Sequence, residues 1–389
     1  MRILRVIASV NPRDGGPVEG LRSSAEMHQL RGHETEVVSL DDPDADYLKD
    51  FPFPVFGQGP RTRVYGYTPR LVPWLKLNCG RFDAAVFHGL WNFSSVGAWL
   101  GVRHKNLPYV VFPHGMLDPW FRSTYPLKHM AKQALWSLAQ GRVMRDAKNV
   151  LFTSAEEQLL AKGVFRGFRY PSQVVKYGSK DLGVGAPHDR HAFLRRFPQI
   201  RGARYLLFLS RIHPKKGIDL LIRAFAAKSK LLPDCALVIA GPDQVCLQAE
   251  LQRLADDLGV SDRVVWPGML QGQAKIDAYR GAAAFVLPSH QENFGIVVAE
   301  AMSCGTPVLT TTKVNTWREV VSCGAGLVEP DTPEGIERLV EAFARLTPDQ
   351  EQDMRLSARI GFERQFAMQA AADDLLRVLQ NAATVPEEA

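Results

Sequence analysis

Two stretches in the second half of this 389-residue chain carry charged residues at places where a chain usually turns. The first is Leu207-Phe208-Leu209-Ser210-Arg211-Ile212-His213-Pro214-Lys215-Lys216-Gly217. It reads as a buried strand that delivers Arg211 and Lys216 to its C-terminal edge, just ahead of a helix. A guanidinium fork and an ammonium there can neutralise the roughly two negative charges of a diphosphate and stabilise it as it leaves. A solvated basic loop would have the same composition, and spacing does not say which of Lys215 and Lys216 is merely exposed.

The second stretch runs Pro288-Ser289-His290-Gln291-Glu292-Asn293-Phe294-Gly295 and on through Glu300 to Gly305-Thr306-Pro307. An apolar run ends at Leu287, a polar loop follows, and a helix is expected from Phe294. Gly295 allows close backbone approach to a ligand, and the free N–H groups of the first helical turn can hold a phosphate. Glu300 lies about six residues into that helix, roughly 9 Å along its axis, and would sit about 80° away from Glu292 even on one continuous helix. The two glutamates therefore do not read as a proton-sharing pair. They suit gripping two parts of one long ligand, such as the sugar and the ribose of a sugar nucleotide, because carboxylates accept hydrogen bonds from hydroxyl pairs. A helix cap at Glu292 and a surface residue at Glu300 fit the same spacing.

The first half offers weaker signals. Gly15-Gly16 follows the first strand but is not a full G-x-G-x-x-G, so a tight turn is the equal alternative. His88 and His114 each follow a strand, where a histidine can meet a hydroxyl or phosphate or be a satisfied structural residue. Asp41-Asp42-Pro43-Asp44-Ala45-Asp46 contains Asp-x-Asp spacings that can hold a divalent metal, yet it reads as a solvated acidic loop. Pro126–Met144 reads as a basic amphipathic helix, with Leu127, Met130, Ala131, Ala134, Leu135 and Leu138 opposite Lys128, Lys132 and Arg142. Such a helix can lie in a membrane interface or pack on its own domain.

The elements that must position these residues alternate between strand and helix. Strands are expected at Ile3–Val10, Glu36–Leu40, Ala84–His88, Tyr109–Phe112, Asn149–Thr153 and Val174–Tyr177, then at Tyr205–Ser210, Ala236–Ala240, Arg263–Trp266, Ala284–Leu287 and Val308–Thr311. Helices are expected at Val18–Gly32, with Leu21, Ala25, Met27 and Leu30 towards a core, and at Gly217–Lys230, Leu247–Leu258, Gln273–Gly281 and Phe294–Ser303. Alternation of this kind gives parallel sheets with right-handed crossovers, and the length suits two domains. The glycine- and proline-bearing stretch 170–204 places the boundary near residue 185. The last 50 or so residues read as helical, with Pro386–Ala389 a frayed end.

Composition narrows the classes. The net charge of +6 divides into +8 over residues 1–190 and −2 over the remainder, so the first half is the one suited to anionic lipid or phosphorylated substrates. Five cysteines without a CxxC pair read as small core residues rather than disulfides or zinc ligands. There is no apolar run long enough to span a bilayer, and the N-terminus lacks the layout of a secretory signal, so a cytoplasmic location is expected.

Arg211-x4-Lys216-Gly217, followed by Glu292-x7-Glu300 within Glu-Asn-Phe-Gly-Ile…Ala-Glu-Ala-Met-Ser-Cys-Gly-Thr-Pro-Val, resembles family four of the retaining glycosyltransferases. Phe112-Pro113-His114-Gly115-Met116-Leu117-Asp118-Pro119 is similar to members common in bacterial polysaccharide assembly. The resemblance implies an α/β GT-B fold: two Rossmann-like domains with parallel sheets facing an interdomain cleft. Residues 1–185 would bind acceptor, 186–365 would bind the nucleotide sugar, and 366–389 would form a C-terminal helix that crosses back to the first domain, with a tail. It further implies that Arg211 and Lys216 bind the donor pyrophosphate and Glu292 the sugar hydroxyls. Asn293, Phe294 and Gly295 would offer backbone N–H groups, Glu300 would bind the ribose, and backbone near Met269 would meet the base. His114 would lie near the reacting sugar, and Gly15-Gly16 near the phosphates and acceptor; His88 and His114, read from their places after strands, are the candidate acceptor-binding residues. Tyr177-Gly178 stands where the family often has Asn-Gly.

The implied activity is hexosyl transfer from a UDP- or GDP-sugar to a saccharide or lipid-linked glycan, with no metal or other cofactor and no nucleic-acid partner. Peripheral contact with an anionic membrane at its inner face is the further expectation. A sugar-nucleotide epimerase, a phosphorylase or a non-catalytic sugar-nucleotide sensor would carry the same fold.

Overall fold

The computed structural model describes residues 1–12, 15–184, 192–197, 200 and 204–384. By internal contacts the chain forms two units, Met1–Gly178 with Met368–Ala389, and Ser179–Ala367. The division falls at Gly178, ahead of the expected residue 185, and the chain rejoins the first unit at Met368. Gly185 and Pro386–Ala389 lie outside the described residues.

The first unit is built on seven strands: β1 (Arg2–Ile7), β2 (Glu34–Ser39), β3 (Val55–Gly57), β4 (Ala84–His88), β5 (Tyr109–Phe112), β6 (Asn149–Phe152) and β7 (Ser172–Val174). They pair in parallel in the order β3-β2-β1-β4-β5-β6-β7. The central strands are apolar on both faces because helices cover both, which is why Ala84-Ala85-Val86-Phe87 is a continuous buried run. On one face Ile3, Val86, Val110 and Phe112 meet Leu375, Val378 and Leu379 of the C-terminal helix Met368–Thr384.

The second unit has β8 (Arg204–Leu209), β9 (Cys235–Ala240), β10 (Val264–Gly268), β11 (Ala284–Leu287), β12 (Val308–Thr311) and β13 (Gly326–Glu329), parallel in the order β10-β9-β8-β11-β12-β13. Each sheet reverses its strand order once, between β1 and β4 and between β8 and β11. At such a reversal the loops leaving two neighbouring strands diverge to opposite faces, which opens a crevice at the strands' C-terminal edge. That topology makes neighbours of loops that lie far apart in sequence: Gly15 and His88 in one unit, Arg211–Lys216 and Glu292 in the other.

Several expectations change. In the helix Gly16–Leu30, Leu30 is exposed and Met27 only half-buried, while His28 takes an inward position, its Nε2 2.9 Å from the Ala372 carbonyl. The helix expected at 126–144 runs without a gap to Asp146, but it is not α-helical throughout. Pro126–Leu135 passes through a π-helical turn, Trp136–Gln140, into Gly141–Asp146, and the turn rotates Trp136 into the core. Asp41 is not solvated: it is buried and accepts hydrogen bonds from Val10 N at 2.8 Å and the Tyr47 hydroxyl at 2.9 Å. Cys79 and Cys235 are buried as expected, Cys304 and Cys323 are half-buried, and Cys246 is exposed. Strands β3 and β13 escape the pattern because three- and four-residue edge strands are too short to show a period.

Candidate functional site

In the second unit the cations and Glu292 meet. Beyond β8 the backbone stays tied to the end of β9, with Ser210 N donating to Ala240 O and Ile212 N to Pro242 O. The chain then makes a single 3-10 turn, Pro214–Lys216, capped by His213, whose Nδ1 accepts from Lys215 N at 3.2 Å. Gly217 ends the turn at φ 62°, and a Cβ there would lie 2.3 Å from the Pro288 carbonyl oxygen. Only glycine lets this turn settle against the segment leaving β11. That segment is stitched on both sides. His290 N donates to Lys215 O at 2.8 Å, Glu292 N to Lys313 O at 3.0 Å, and Asn315 N to Glu292 O at 3.0 Å.

The result is an ion pair between Lys216 Nζ and Glu292 Oε2, with the Lys216 side chain 9% exposed and that of Glu292 23%. The structure thus separates the two lysines, since Lys216 is buried and Lys215 only half-buried. Arg211 is exposed, its Nη1 3.4 Å from Gln244 Oε1. Burial lowers the His213 pKa, and Arg211, Lys215 and Lys216 lower it further, so these cations share one region of positive potential.

The helix after the second stretch starts at Ile296, two residues later than expected, because Gly295 is in the left-handed region at φ 65° and serves as its N-cap. Phe294 is turned inward, edge-on to Phe366 at 5.7 Å, and its carbonyl accepts from the Thr316 hydroxyl at 3.0 Å. These contacts fix the loop so that Asn293 Oδ1 meets Asn315 Nδ2 at 3.4 Å. Glu300 is not a free surface residue: Lys275 Nζ sits 2.6 Å from Oε1 and the Tyr279 hydroxyl donates to Oε2 at 3.0 Å. Two of its roughly four lone-pair sites remain for a ligand. Met269 is exposed beyond β10, next to Gly268 at φ 73°.

In the first unit Gly15 adopts φ 81°, ψ −140°, a conformation open essentially to glycine alone, and caps the helix Gly16–Leu30 with nothing within 4 Å of where a Cβ would stand. His88 and His114 form a pair, Nδ1 to Nε2 at 3.1 Å, with rings stacked at 5.3 Å beside Phe112. Burial lowers the His114 pKa to about 4, and burial, then His114, then Arg5 lower that of His88. Both are neutral at pH near 7, so each has one donor and one acceptor nitrogen. His114 itself sits at φ 50°. Glu157 braces the turn that carries it. This buried carboxylate accepts from Gly115 N at 2.6 Å, Thr153 N at 2.7 Å and the Thr153 hydroxyl at 2.8 Å.

Comparison with known proteins supplies the family. Residues 191–360 match the family described as Glycosyl transferases group 1, and residues 15–177 match the one described as Glycosyl transferase 4-like domain. The chain belongs to glycosyltransferase family four. It is 34% identical to a D-inositol 3-phosphate glycosyltransferase of Mycolicibacterium smegmatis over 233 residues, 59% of this chain and 52% of that protein. It is 39% identical to the enzyme of the same name from Actinosynnema mirum over 247 residues, 59% of this chain and 56% of that one. The chain thus matches about half the length of these curated relatives. Across 98% of this chain and 100% of the other, it superposes on the Anabaena protein Alr3699/HepE in complex with UDP, with a TM-score of 0.78 at 19% identity. The fold is GT-B, with one parallel sheet in each of two Rossmann-like units.

For this family-four chain, sequence reasoning singled out Arg211, Lys216, Glu292 and Glu300 but not Lys275 and Tyr279, which contact Glu300, nor the buried Glu157 and Arg5. Lys275 and Tyr279 stand four apart on the helix Gly272–Gly281, an i, i+4 spacing that puts both on one face. Nothing in the sequence says that this face meets Glu300. Among the described residues no group of three or more His, Cys, Asp or Glu side chains is arranged to hold a metal ion. No helix among them is long and apolar enough to cross a membrane.

Proposed function

We propose that this glycosyltransferase moves a hexose from a UDP- or GDP-sugar to a saccharide or lipid-linked glycan, with retention at the anomeric carbon. The observation that carries the reading is the joining of Lys216 to Glu292 at the strand-order reversal of the second unit, within the positive field that Arg211 shares. A bound donor diphosphate would take the ammonium of Lys216 and the guanidinium of Arg211, together with N–H groups at the Ile296 helix start. Glu292 would then accept from the sugar hydroxyls, and Glu300 from the ribose, in the orientation that Lys275 and Tyr279 impose. Backbone near Met269 would meet the base, and neutral His114 would hydrogen-bond the sugar or acceptor without adding charge.

The acceptor oxygen attacks the anomeric carbon as the bond to the diphosphate breaks, and its proton passes to the departing phosphate oxygen on the same face. The oxocarbenium-like state is stabilised by the cations gathered on the leaving group.

The exposed Leu127 and Met130 beside Lys128 and Lys132 support a peripheral membrane contact. Lys132 Nζ lies 4.9 Å from the Trp91 ring centroid and 5.2 Å from that of Phe121, an amphipathic setting suited to the headgroup layer.

The test is a donor screen reading released UDP or GDP with and without acceptors, followed by NMR of the product's anomeric configuration. The acceptor panel includes inositol phosphates, the class that the relatives' names specify. Conversion of donor without acceptor marks an epimerase, and phosphate-dependent release of sugar phosphate marks a phosphorylase. Tight donor binding without turnover marks a sensor. Sedimentation with anionic vesicles at low salt, reversed at high salt, tests the membrane contact, and no pelleting at low salt removes it.

A further inference from the structure

Arg5 occupies a position where the fold calls for an apolar residue. In the parallel register Arg5 pairs with Val86, so on one face of the sheet its neighbours are Ile3, Val86 and, one step further along β4, His88. Ile3, Val86 and Phe112 there belong to the apolar cluster under the C-terminal helix. Arg5 is 0% exposed. Its Nη2 lies 3.5 Å from Ser24 Oγ and 3.3 Å from His28 Nδ1, both neutral groups. Among the described residues no carboxylate pairs with it, and its Nε and Nη1 are buried without a hydrogen-bond partner. Nε2 of His88, a residue 5% exposed, is likewise buried and unpartnered.

Arg5 and His88 both line one small cavity. Its wall also includes Ser24, Phe112, Lys176, Tyr177 and Leu375, all within the first unit. The Tyr177 hydroxyl closes one side by donating to Gly16 O at 3.3 Å, a packing that Gly20 permits, because a Cβ at Gly20 would overlap the phenol oxygen. An arginine keeps its charge even when buried, and an unpaired buried charge is strongly destabilising. Burial lowers the Arg5 pKa to about 10, which still leaves a cation at neutral pH.

We infer that Arg5 and His88 hold a small inorganic monoanion in this cavity, chloride under physiological conditions. A halide suits the site better than an oxyanion because Phe112, Ala371 and Leu375 supply an apolar wall. The anion also selects a tautomer. With the His88 proton on Nε2 facing the anion, His88 Nδ1 accepts from His114 Nε2–H across their 3.1 Å contact. His114 then keeps its lone pair on Nδ1. The anion site stands whether or not His114 serves glycosyl transfer.

Two measurements test it. Crystals of the full chain soaked in bromide should show an anomalous peak within hydrogen-bonding reach of Arg5 Nε or Nη1 and His88 Nε2. Melting in sodium chloride should exceed melting in sodium gluconate at equal ionic strength by about 3–6 °C, the shift expected near tenfold saturation. The difference should vanish in Arg5→Met, which replaces the guanidinium with an apolar chain. Absence of a bromide peak at this site overturns the proposal, and so does a chloride effect of equal size in the parent and Arg5→Met. If Arg5→Met fails to fold, the bromide map decides alone.

Discussion

Replacing Lys216 with alanine removes one ammonium from two relationships, its pairing with Glu292 and its proposed hold on the leaving diphosphate. The cost to folding follows from exposure. Breaking a fully buried ion pair costs about 3–5 kcal/mol and an exposed one about 0–1. With the two side chains 9% and 23% exposed, the pair lies between these limits, and a loss of about 2–3 kcal/mol is expected. Even a parent of only about 5 kcal/mol would remain about 97% folded after losing 3. The cost to catalysis is separate. Removing one group that stabilises charge developing in the transition state lowers turnover by about 100–1,000-fold. Unfolding of a few per cent cannot account for such a drop. The assay pairs urea unfolding with release of UDP or GDP under saturating donor and acceptor. A Glu292→Gln background refines it, because the stability cost of Lys216→Ala should shrink there if the two residues are coupled. Turnover within about threefold of the parent in the folded variant would refute the assignment of Lys216 to the leaving group.

Gly217→Ala should destabilise by about 2–4 kcal/mol, combining left-handed strain with a clash against the Pro288 carbonyl. Gly259→Ala, at a similar φ of 67° but with open space around it, should lose only about 1 kcal/mol, and equal losses in urea titrations would discredit the packing argument. Glu157→Gln turns an amide N–H toward donors and should cost about 1–3 kcal/mol while lowering transfer through the His114 turn; an unchanged midpoint and rate would count against that brace. Acidification should destabilise the first unit. The His28 pKa is lowered to about 3 by burial and then by Arg5, so below about pH 6.5 the unfolded chain binds the extra proton and stability falls with pH. Between pH 7 and pH 5 His28 alone should remove about 2 kcal/mol, with His88 and His114 acting in the same direction. Urea midpoints that stay level over that range would contradict this.

The elements carrying the site were legible where local signals are strong. β4, β5, β11 and β12 fall where the apolar runs place them, because a strand covered on both faces needs uninterrupted apolar residues. The helix after Gly295 was also visible, but its start was two residues off, since the backbone angle of Gly295 and the inward turn of Phe294 depend on Phe366 and Thr316.

The amino-acid sequence by itself determined the alternation of strands and helices, the pairing of an Arg-x4-Lys turn with a Glu-x7-Glu helix, and through them the family. Partnership was decided by tertiary structure. Which lysine is buried follows from Gly217 meeting Pro288, a contact made only once β8 and β11 lie side by side. The spacing of Glu300 fits a ligand-gripping carboxylate and a surface residue alike, and only the fold shows that the helix bearing Lys275 and Tyr279 packs against its carboxylate. Arg5 looks like ordinary charge in the opening strand, and nothing nearby in sequence reveals that the C-terminal helix, more than 360 residues away, covers its face of the sheet. Short-range patterns encode which elements form. The electrostatics of a buried group depend on every chain segment that surrounds it, and those segments come together only in the fold.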